Sequence, residues 1–531
     1  MNPFTGTGHL ARLALRRERA IAPWWILLIV SMSLVMVAYI NRYMATQELK
    51  LTYLGIITRT PFLHAIGGGQ VEPRLEVLAT WRSGGFLYVA GAFAALMSVI
   101  RHTRREEDAG RTELVRAAVV SRRAPLAAAV LVAAGISLLA GALTAAALIT
   151  VGLPPIGSIA YGAAIALAGW LFGGVAAVAA QLAAGARTAT TIAVSVLGLA
   201  YAMRFAGDAM GQPWLKYLSP IGWIHLVQPY QDERWWLVGV VFVVGVALYA
   251  LAFRLLDRRD LGAGVLTERP GPASAPELRG PVSLAWRLHR GLLLKWAVGV
   301  AVFAGAAGGL SPLTNDLLTR PSVMLDTITT MIGMRSPSLA AYVWYLIMIM
   351  AYAVALYPVL MVIRLRAEEV SGRGEAVLAT PLTRLRWAGG HLLVTGLGTA
   401  ALMAVAGLVF GTVFSLLVGD LAVDLPRFVL GALTTVPAAW SVGAVCLLAY
   451  GLAPRAGVAI SWLAWVLTCA LGQVITPFYG FFGGFPVEPF HYVANAMTGA
   501  PYDARPTLAL TAVTALLLAG GLLSLRRRDF G

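Results

Sequence analysis

Two short charged segments carry the residues that could form ion pairs or a docking surface in an otherwise apolar chain. RREEDAGRTELVRA (104–117) and RAEEVSGRGEAVLA (366–379) share Glu-Glu, Gly-Arg and Glu at identical spacing, shifted by 262 positions. Carboxylates and guanidinium groups form strong, charge-assisted hydrogen bonds with each other or with a charged partner. The matched residues are therefore candidate docking residues: Glu106, Glu107, Gly110, Arg111, Glu113, Glu368, Glu369, Gly372, Arg373 and Glu375.

The spacing predicts a short amphipathic helix at the cytoplasmic membrane surface over residues 107–119. On such a helix Glu107 and Arg111 are four residues apart, an arrangement that favours an ion pair, and Glu369 and Arg373 repeat it. Glycine within a helix is unfavourable, so Gly110 in this position indicates a kink or a close backbone approach. The segment could simply cap the helical bundle. Its duplication favours a surface that docks a cytoplasmic partner, with two copies for two partner subunits.

The rest of the chain indicates an all-α polytopic membrane protein. Of its residues 59% are hydrophobic and 12% are charged, against about 25% charged in soluble domains. Apolar runs of this length cross a bilayer as helices, because backbone polar groups must pair within the segment. Twelve transmembrane helices are predicted, at 23–40, 85–100, 126–151, 156–184, 188–205, 235–256, 292–310, 339–363, 387–418, 428–453, 456–475 and 507–525.

The charge distribution predicts the orientation of these spans. One set of connections contains both termini, the loops 101–123 and 364–386, the short turns at Arg187 and Arg455, and the stretch 254–295. It holds 29 of the 41 Lys and Arg and 13 of the 25 Asp and Glu, so it carries the whole net charge of +16. The positive-inside rule places this face and both termini in the cytoplasm. The basic character is explained by topology and by anionic lipid headgroups, so nucleic-acid binding is not expected.

Further matches between the halves indicate an internal duplication. LDRRDLG (256–262) matches LRRRDFG (525–531), and SPIGWIHLV (219–227) resembles FPVEPFHYV (485–493). The matches occur in the same order along the chain and lie mostly in polar loops, where composition does not force similarity. We expect two parallel six-helix repeats, 1–265 and 282–531, separated by a cytoplasmic Pro/Gly linker at 266–281.

Several chemistries are excluded or disfavoured by the sequence. There is no G-x-x-x-x-G-K-[ST], and none of the three lysines follows a glycine, so the chain lacks the phosphate-binding loop of ATPases. The predicted spans contain no Asp or Glu away from their ends, which disfavours ion-coupled transport. No catalytic cluster, metal site or disulfide framework is indicated; the two cysteines lie within predicted spans.

These motifs together resemble the permease of an ABC-2-type exporter. The resemblance rests on the Glu-Glu-x-x-Gly-Arg-x-Glu loop between spans two and three, the Arg-Arg-Asp ending and the outer SPIGW stretch (219–223). It covers nearly the full chain, whose fused, arginine-rich form is similar to actinobacterial permeases of tetronasin-type antibiotic and multidrug exporters. In the second half Phe485 and Glu488 replace the expected Ser and Gly.

The resemblance implies a fold like that of the type V exporters and a role as a permease, not an enzyme. The loops between spans 2–3 and 8–9 would each dock one copy of a separate ABC ATPase subunit, and ATP and Mg²⁺ would bind in that partner. Hydrophobic or amphiphilic compounds, such as antibiotics, would be moved out across the bacterial cytoplasmic membrane. The alternative is a twelve-span multidrug antiporter driven by an ion gradient.

An apolar, aromatic pathway is expected in such an exporter, because Met and aromatic side chains suit varied amphiphiles. The same side chains could instead serve ordinary packing or interfacial belts. Short helices are expected in the outer segments 212–236 and 476–502, and the glycine pairs 169/173 and 407/411 are expected to join helices. The candidate pathway residues are Phe86, Tyr88, Phe93, Met97, Tyr201, Phe205, Tyr342, Trp344, Tyr345, Met348, Trp462 and Trp465.

Overall fold

The computed structural model describes residues 3–116, 119–260, 262–266, 274–314, 339–473, 484–497 and 503–528. Within these ranges the chain consists of α-helices and two short 3₁₀ turns, without a β-strand. The predicted all-α polytopic membrane fold is confirmed. The chain forms two compact units, Met1–Gly271 and Pro272–Gly531.

In the described part of the first unit, six helices are long enough to span a membrane, with shorter helices between them. The described helices are α1 Thr7–Glu18, α2 Ala22–Tyr43, α3 Gln47–Arg59, α4 Pro61–Gly67, α5 Leu75–His102, α6 Arg104–Asp108, α7 Arg111–Arg116, α8 Ala124–Thr150, α9 Pro155–Leu182, α10 Ala186–Ala209, α11 Pro213–Leu218, α12 Pro220–His225 and α13 Trp235–Arg258.

The second unit repeats this pattern with more interruptions. Its 3₁₀ turns are Pro312–Thr314 and Pro489–Tyr492. Its described helices are α14 Pro281–Leu310, α15 Leu339–Val354, α16 Leu356–Val370, α17 Arg373–Leu378, α18 Arg384–Leu417, α19 Leu421–Leu433, α20 Val436–Leu452, α21 Gly457–Leu471 and α22 Arg505–Arg527.

Among the described residues, eleven helical segments are long and apolar enough to cross a membrane. The span predicted at 456–475 is present as α21, which has only 15 residues. At 1.5 Å per residue this helix is about 22 Å long, shorter than the roughly 30 Å hydrocarbon core. Part of the outer segment that follows, residues 474–483, lies outside the described residues.

The second span begins ten residues earlier than predicted, at Leu75 rather than residue 85. The sequence pattern stopped at Arg82, a charge that is unfavourable inside a membrane helix. In the fold, Arg82 donates from Nη1 to the Tyr53 hydroxyl at 2.5 Å and lies over the Tyr39 and Tyr53 rings. These contacts accommodate the guanidinium, so the helix continues through it.

Proline explains why the corresponding span of the second unit is divided. α15 ends at Val354 and α16 begins at Leu356. Pro358 has no N–H to donate to the carbonyl of Val354, four residues earlier, and its ring crowds that carbonyl. The residue 262 positions earlier is Leu96, within the uninterrupted α5.

α9 is the central helix of the first unit, packed against α5, α8, α10 and α13. A Cβ added at Gly169 would collide with the Ser137 side chain of α8, and one added at Gly173 would lie 2.5 Å or so from the Tyr249 hydroxyl of α13. The predicted role of this glycine pair in joining helices is confirmed, because larger residues would force α9 away from its neighbours.

In the second unit, α18 packs against α14, α15, α16, α19 and α20. A Cβ at Gly407 would lie 2.6 Å from the Phe428 carbonyl oxygen, and one at Gly411 would lie 2.9 Å from the Phe428 Cβ. This second glycine pair therefore joins α18 to α19, as predicted.

Candidate functional site

The first charged segment forms two short helices rather than one. α6 ends at Asp108 and α7 begins at Arg111. Between them Gly110 has φ +70°, a left-handed conformation that glycine adopts far more readily than other residues. The prediction of a continuous helix over 107–119 is wrong, and the kink expected at this glycine is a complete break. We call residues 104–116 the first elbow.

Glu107 lies at the centre of the first elbow, with its side chain only 8% exposed. Arg259 donates to both carboxylate oxygens at 2.8 Å, and Arg104 donates to Oε2 at 2.9 Å. The backbone N–H of Gly262 donates to Oε1 at 2.7 Å. Both oxygens are therefore saturated by charge-assisted hydrogen bonds.

The two arginines around Glu107 also bind the ends of neighbouring helices. Arg259 donates from Nε to Gln181 Oε1 at 2.7 Å, and Arg104 donates from Nε to the Ala184 carbonyl at 2.7 Å. Gln181 lies in the last turn of α9, and Arg259 directly follows α13. This network therefore ties the first elbow to the ends of both spans.

The other two acidic residues of α6, Glu106 and Asp108, have separate partners. Glu106 receives two hydrogen bonds from Arg111, at 2.7 and 2.8 Å, and lies 2.7 Å from Arg17 of α1. The predicted Glu107–Arg111 pair is thus wrong, because the break at Gly110 turns Arg111 toward the preceding glutamate. Asp108 Oδ2 accepts the backbone N–H of Ala186 at 2.7 Å, at the start of α10.

α1 is held beside the first elbow by the residue after Arg17. Glu18 accepts hydrogen bonds from Ser98 and Arg101 at 3.0 Å, and its Oε1 lies 2.8 Å from His102 Nε2. Burial alone would raise the pKa of Glu18, but the bonds to His102, Arg101 and Ser98 outweigh it and the pKa is lowered. The charged carboxylate therefore anchors α1 to the end of α5.

The second charged segment forms an equivalent break. α16 ends at Val370, Gly372 has φ +72°, and α17 begins at Arg373. We call residues 366–378 the second elbow. Because Gly372 also has a left-handed conformation, a helix that runs unbroken through it is again excluded.

Glu369, the counterpart of Glu107, has a side chain only 2% exposed. Its Oε2 accepts the Tyr450 hydroxyl at 2.5 Å and Arg528 Nη2 at 2.7 Å. Arg366 Nη1 lies 3.0 Å from the same oxygen, as an ion pair without hydrogen-bond alignment. Among the described residues, Oε1 has no hydrogen-bond partner.

Glu368, the counterpart of Glu106, accepts Arg373 Nε at 2.9 Å and lies 3.8 Å from Arg364 Nε. The predicted Glu369–Arg373 pair is wrong for the reason that applies in the first elbow. In both elbows the arginine after the glycine bonds the first glutamate of the pair, five residues earlier, and the second glutamate faces inward.

The ten candidate docking residues therefore divide into two groups. The paired glutamates point into the protein and bond other side chains, as described above. The residues from the glycine onward form an exposed face on each elbow; Arg111 and Arg373 side chains are 48% and 67% exposed. Glu113 and Glu375 lie on these faces and are exposed.

The inward-facing partners were missed as site residues by sequence reasoning. Arg104 and Arg366 lie two residues before the first matched glutamate of their segments. Arg259 and Arg528 occupy the same position of the LDRRDLG and LRRRDFG repeats. Both repeats were visible in the sequence. Only the fold shows that the two motifs contact each other.

The candidate pathway residues differ widely in exposure within their own units. Phe86 and Trp462 are exposed, at 55% and 42%. Buried within their own units are Tyr88, Tyr342, Trp344 and Met348. The half-buried ones are Phe93, Met97, Tyr201, Phe205, Tyr345 and Trp465.

Neighbouring candidates on one helix do contact each other. The rings of Tyr201 and Phe205 lie 6.2 Å apart, and those of Trp462 and Trp465 lie 6.4 Å apart. Trp465 also donates to the Tyr352 carbonyl at 3.0 Å, a packing role that links α21 to α15. Among the described residues, no group of three or more His, Cys, Asp or Glu could hold a metal ion.

Comparisons with known proteins agree with a membrane permease. Residues 278–526 match the family described as "Multidrug efflux system permease Rv1217c, C-terminal domain". The chain is also 36% identical over 533 residues to the multidrug efflux system permease protein Rv1217c of Mycobacterium tuberculosis. That alignment covers 99% of this chain and 95% of the mycobacterial protein.

Proposed function

Because this chain belongs to the family of the multidrug efflux system permease Rv1217c, we propose that it is the transmembrane subunit of an ATP-driven ABC exporter. It moves hydrophobic or amphiphilic compounds, such as antibiotics, outward across the bacterial cytoplasmic membrane. Two copies of a separate ABC ATPase subunit drive it, one on each elbow. ATP and Mg²⁺ bind in those subunits, since the chain itself has no phosphate-binding loop.

The observation that carries this proposal is the repeated geometry of the elbows. In each unit a buried glutamate bonds an arginine that follows the last helix, and an exposed charged face lies beyond a left-handed glycine. A segment that only capped the bundle would not need an exposed face and a buried anchor in both copies. An element that passes force between a partner and the spans needs both.

The buried glutamates give each elbow a mechanical link to the spans. A partner that pushes on the exposed face of the first elbow displaces Glu107, and with it Arg259 at the end of α13 and Gln181 at the end of α9. In the second elbow the same push reaches α22 through Arg528 and α20 through Tyr450. We infer that closure of the ATPase pair moves these helices and changes access to the pathway.

The location and orientation rest on charge. The elbows and both termini belong to the positively charged set of connections, which the positive-inside rule places in the cytoplasm, where the ATPase and its ATP are found. The export direction is supported by the relative's name as an efflux permease. The aromatic residues named above are the proposed lining of the pathway.

The exposed faces provide the decisive test. Glu113→Arg and Glu375→Arg should be combined in the full-length chain, reconstituted with the proposed partner ABC ATPase subunit. We expect ATPase capture and drug efflux to fall at least about tenfold, because reversed charge at a docking surface opposes association. Thermal stability should remain unchanged, since both side chains are exposed.

Glu277→Arg is the matched control, because Glu277 is an exposed glutamate outside both elbows. Unchanged efflux in the double variant would refute docking on these faces. Drug transport by the chain alone in liposomes, driven by a proton gradient without ATP, would establish the ion-driven antiporter instead.

A further inference from the structure

A polar cavity of about 30 Å³ lies in the first unit, at the opposite end of α5 from the elbow. Thr80, Trp81 and Tyr88 of α5 line it, together with His225 of α12 and Gln228 of the following loop. Thr80 is 22 residues from the end of α5, which places the cavity about 33 Å along the helix from the elbow. By the predicted orientation this is the outer end of the unit.

Three side chains in this wall have polar atoms without a hydrogen-bond partner. They are Trp81 Nε1, His225 Nε2 and Gln228 Oε1, on residues that are 9%, 7% and 4% exposed. A buried donor or acceptor without a partner is unfavourable, and such groups normally bond water or a ligand. Three of them around one cavity mark a place that a polar group can occupy.

The loop that carries Gln228 is held in an uncommon conformation. Gln228 and Tyr230 have φ +52° and +63°, values that residues other than glycine seldom adopt. Tyr230 is fixed by a 2.8 Å hydrogen bond between its hydroxyl and Ser158 Oγ, and Gln231 donates to Glu72 at 3.1 Å. These contacts hold the Gln228 amide in place before any ligand arrives.

The charge of the wall restricts what can bind. Burial, with the nearby cations Arg204 and Lys216, lowers the pKa of His225 well below its ordinary value, so the imidazole is neutral. Both cations pair with Asp208. Arg204 and Asp208 lie next to Gly68, which lines the cavity. The Trp81 indole requires an acceptor and Gln228 Oε1 requires a donor. A cation such as an ammonium could not accept from Trp81, and an anion could not donate to Gln228.

We propose that this cavity binds an uncharged group that both donates and accepts hydrogen bonds, an amide or hydroxyl, on a transported amphiphile. The assignment rests on the proposed export function. Water occupies the cavity between ligands, and a ligand that reproduces its hydrogen bonds can displace it.

The repeat does not reproduce this site. At the offset of the elbows Trp81 aligns with Val343, and at the offset of the outer motifs Gln228 aligns with Ala494. His491, the counterpart of His225, is exposed. The two units therefore contribute differently to substrate recognition.

Equilibrium binding to the full-length chain in lipid nanodiscs tests the proposal without ATP or an ATPase. The probes are tritiated dodecanamide and tritiated dodecyltrimethylammonium, with counts on empty nanodiscs subtracted. Trp81→Phe removes the indole donor and keeps an aromatic ring; Gln228→Asn withdraws the amide and tolerates positive φ. We expect each variant to bind dodecanamide about tenfold more weakly and the ammonium probe unchanged.

Trp214→Phe is the matched control, because Trp214 is an exposed tryptophan of the same unit, outside the cavity. Dodecanamide binding that is unaltered in both cavity variants, or no preference for the amide in the parent chain, would show that the cavity holds ordered water only and would overturn the proposal. If amide-selective binding is found but ATP-driven efflux is not, the site stands and the proposed exporter function fails.

Discussion

The two elbows use the same buried glutamate but satisfy it differently. In the first, Glu107 receives donors on both oxygens from two arginines and the Gly262 N–H. In the second, the contacts of Glu369 with Arg366, Tyr450 and Arg528 all converge on Oε2. The arginines of the second elbow are also more accessible to water than those of the first.

The two elbows share several residues and differ in a polar contact. Both have an arginine three residues before the glutamate, a second arginine after the last helix, and a left-handed glycine three residues after the glutamate. The polar residue near the end of the fourth span differs: Gln181 bonds the arginine in the first unit, whereas Tyr450 bonds the glutamate itself in the second. The shared contacts are those through which the elbows are proposed to act on the spans.

The largest expected effect comes from neutralising the buried glutamates. Glu107→Gln leaves Arg104 and Arg259, with side chains 1% and 7% exposed, without their carboxylate. Removing one partner of a buried pair costs about 3–5 kcal/mol, so we expect a large fall in thermal stability. Glu369→Gln should cost less, because Arg366 and Arg528 are 18% and 13% exposed and better hydrated.

Thermal unfolding followed by size-exclusion chromatography measures this difference, with Glu277→Gln as an exposed control. Equal losses in the two elbows would contradict the comparison. The double variant Glu107→Gln/Arg259→Gln should recover part of the stability lost in Glu107→Gln, because it removes one of the orphaned charges.

The matched elements SPIGWIHLV (219–227) and FPVEPFHYV (485–493) provide a second contrast between the units, which pH should reveal. Ser219 caps α12 by accepting the Gly222 N–H at 3.0 Å, whereas Glu488 caps its 3₁₀ turn by accepting the Phe490 N–H at 2.8 Å. Glu488 is 2% exposed, and the Tyr352 hydroxyl lies 3.1 Å from it. Burial raises the pKa of Glu488 to about 8, from 4.5.

The raised pKa sets the direction of the effect. Between pH 4.5 and about 8 the folded chain keeps a proton on Glu488 that the unfolded chain releases, so stability falls as pH rises through this window. We expect a melting temperature several degrees lower at pH 8.5 than at pH 6, and a smaller difference in Glu488→Gln. Ser219→Ala should retain the full pH difference, and a parent-like pH response in Glu488→Gln would contradict the assignment.

A smaller and equal effect is expected at the two elbow glycines. Gly110 and Gly372 have φ +70° and +72°, and a Cβ at either would meet no atom within 4 Å. Alanine should therefore cost only the strain of the left-handed conformation, about 1 kcal/mol at each site. Thermal unfolding of Gly110→Ala and Gly372→Ala should give matching shifts, and unequal shifts would show that the two breaks differ in geometry.

The smallest effect is expected for the exposed arginines. Arg111 makes two hydrogen bonds to Glu106, whereas Arg373 makes one to Glu368. Exposed ion pairs contribute about 0–1 kcal/mol, so Arg111→Ala and Arg373→Ala should each change stability slightly, the former more. Expressed as changes in free energy, the loss of ATPase binding in each variant should exceed the loss of stability. A loss of stability larger than the loss of ATPase binding would argue against docking on these faces.

Much of the fold could be predicted because hydropathy and periodicity act locally. Of the twelve spans predicted from the apolar runs, eleven are found among the described residues as helices long enough to cross a membrane, and the glycine pairs predicted close helix contacts. The predictions were wrong for two different reasons. Tyr39 and Tyr53, distant in the sequence, accommodate Arg82 and extend α5. Gly110, within the charged segment itself, adopts a left-handed conformation and breaks a helix that charge spacing alone favoured.

The sequence by itself determined that this is a helical membrane protein with a net charge of +16 and a duplicated charged segment. Those properties follow from composition and from repeats within short windows of the chain. Which glutamate each arginine binds, which acids are buried and which face remains exposed were decided only by the tertiary structure. The reason is physical: Arg259 lies 152 residues from Glu107 in the chain and Arg528 lies 159 residues from Glu369, and only helix packing brings these side chains within hydrogen-bond distance.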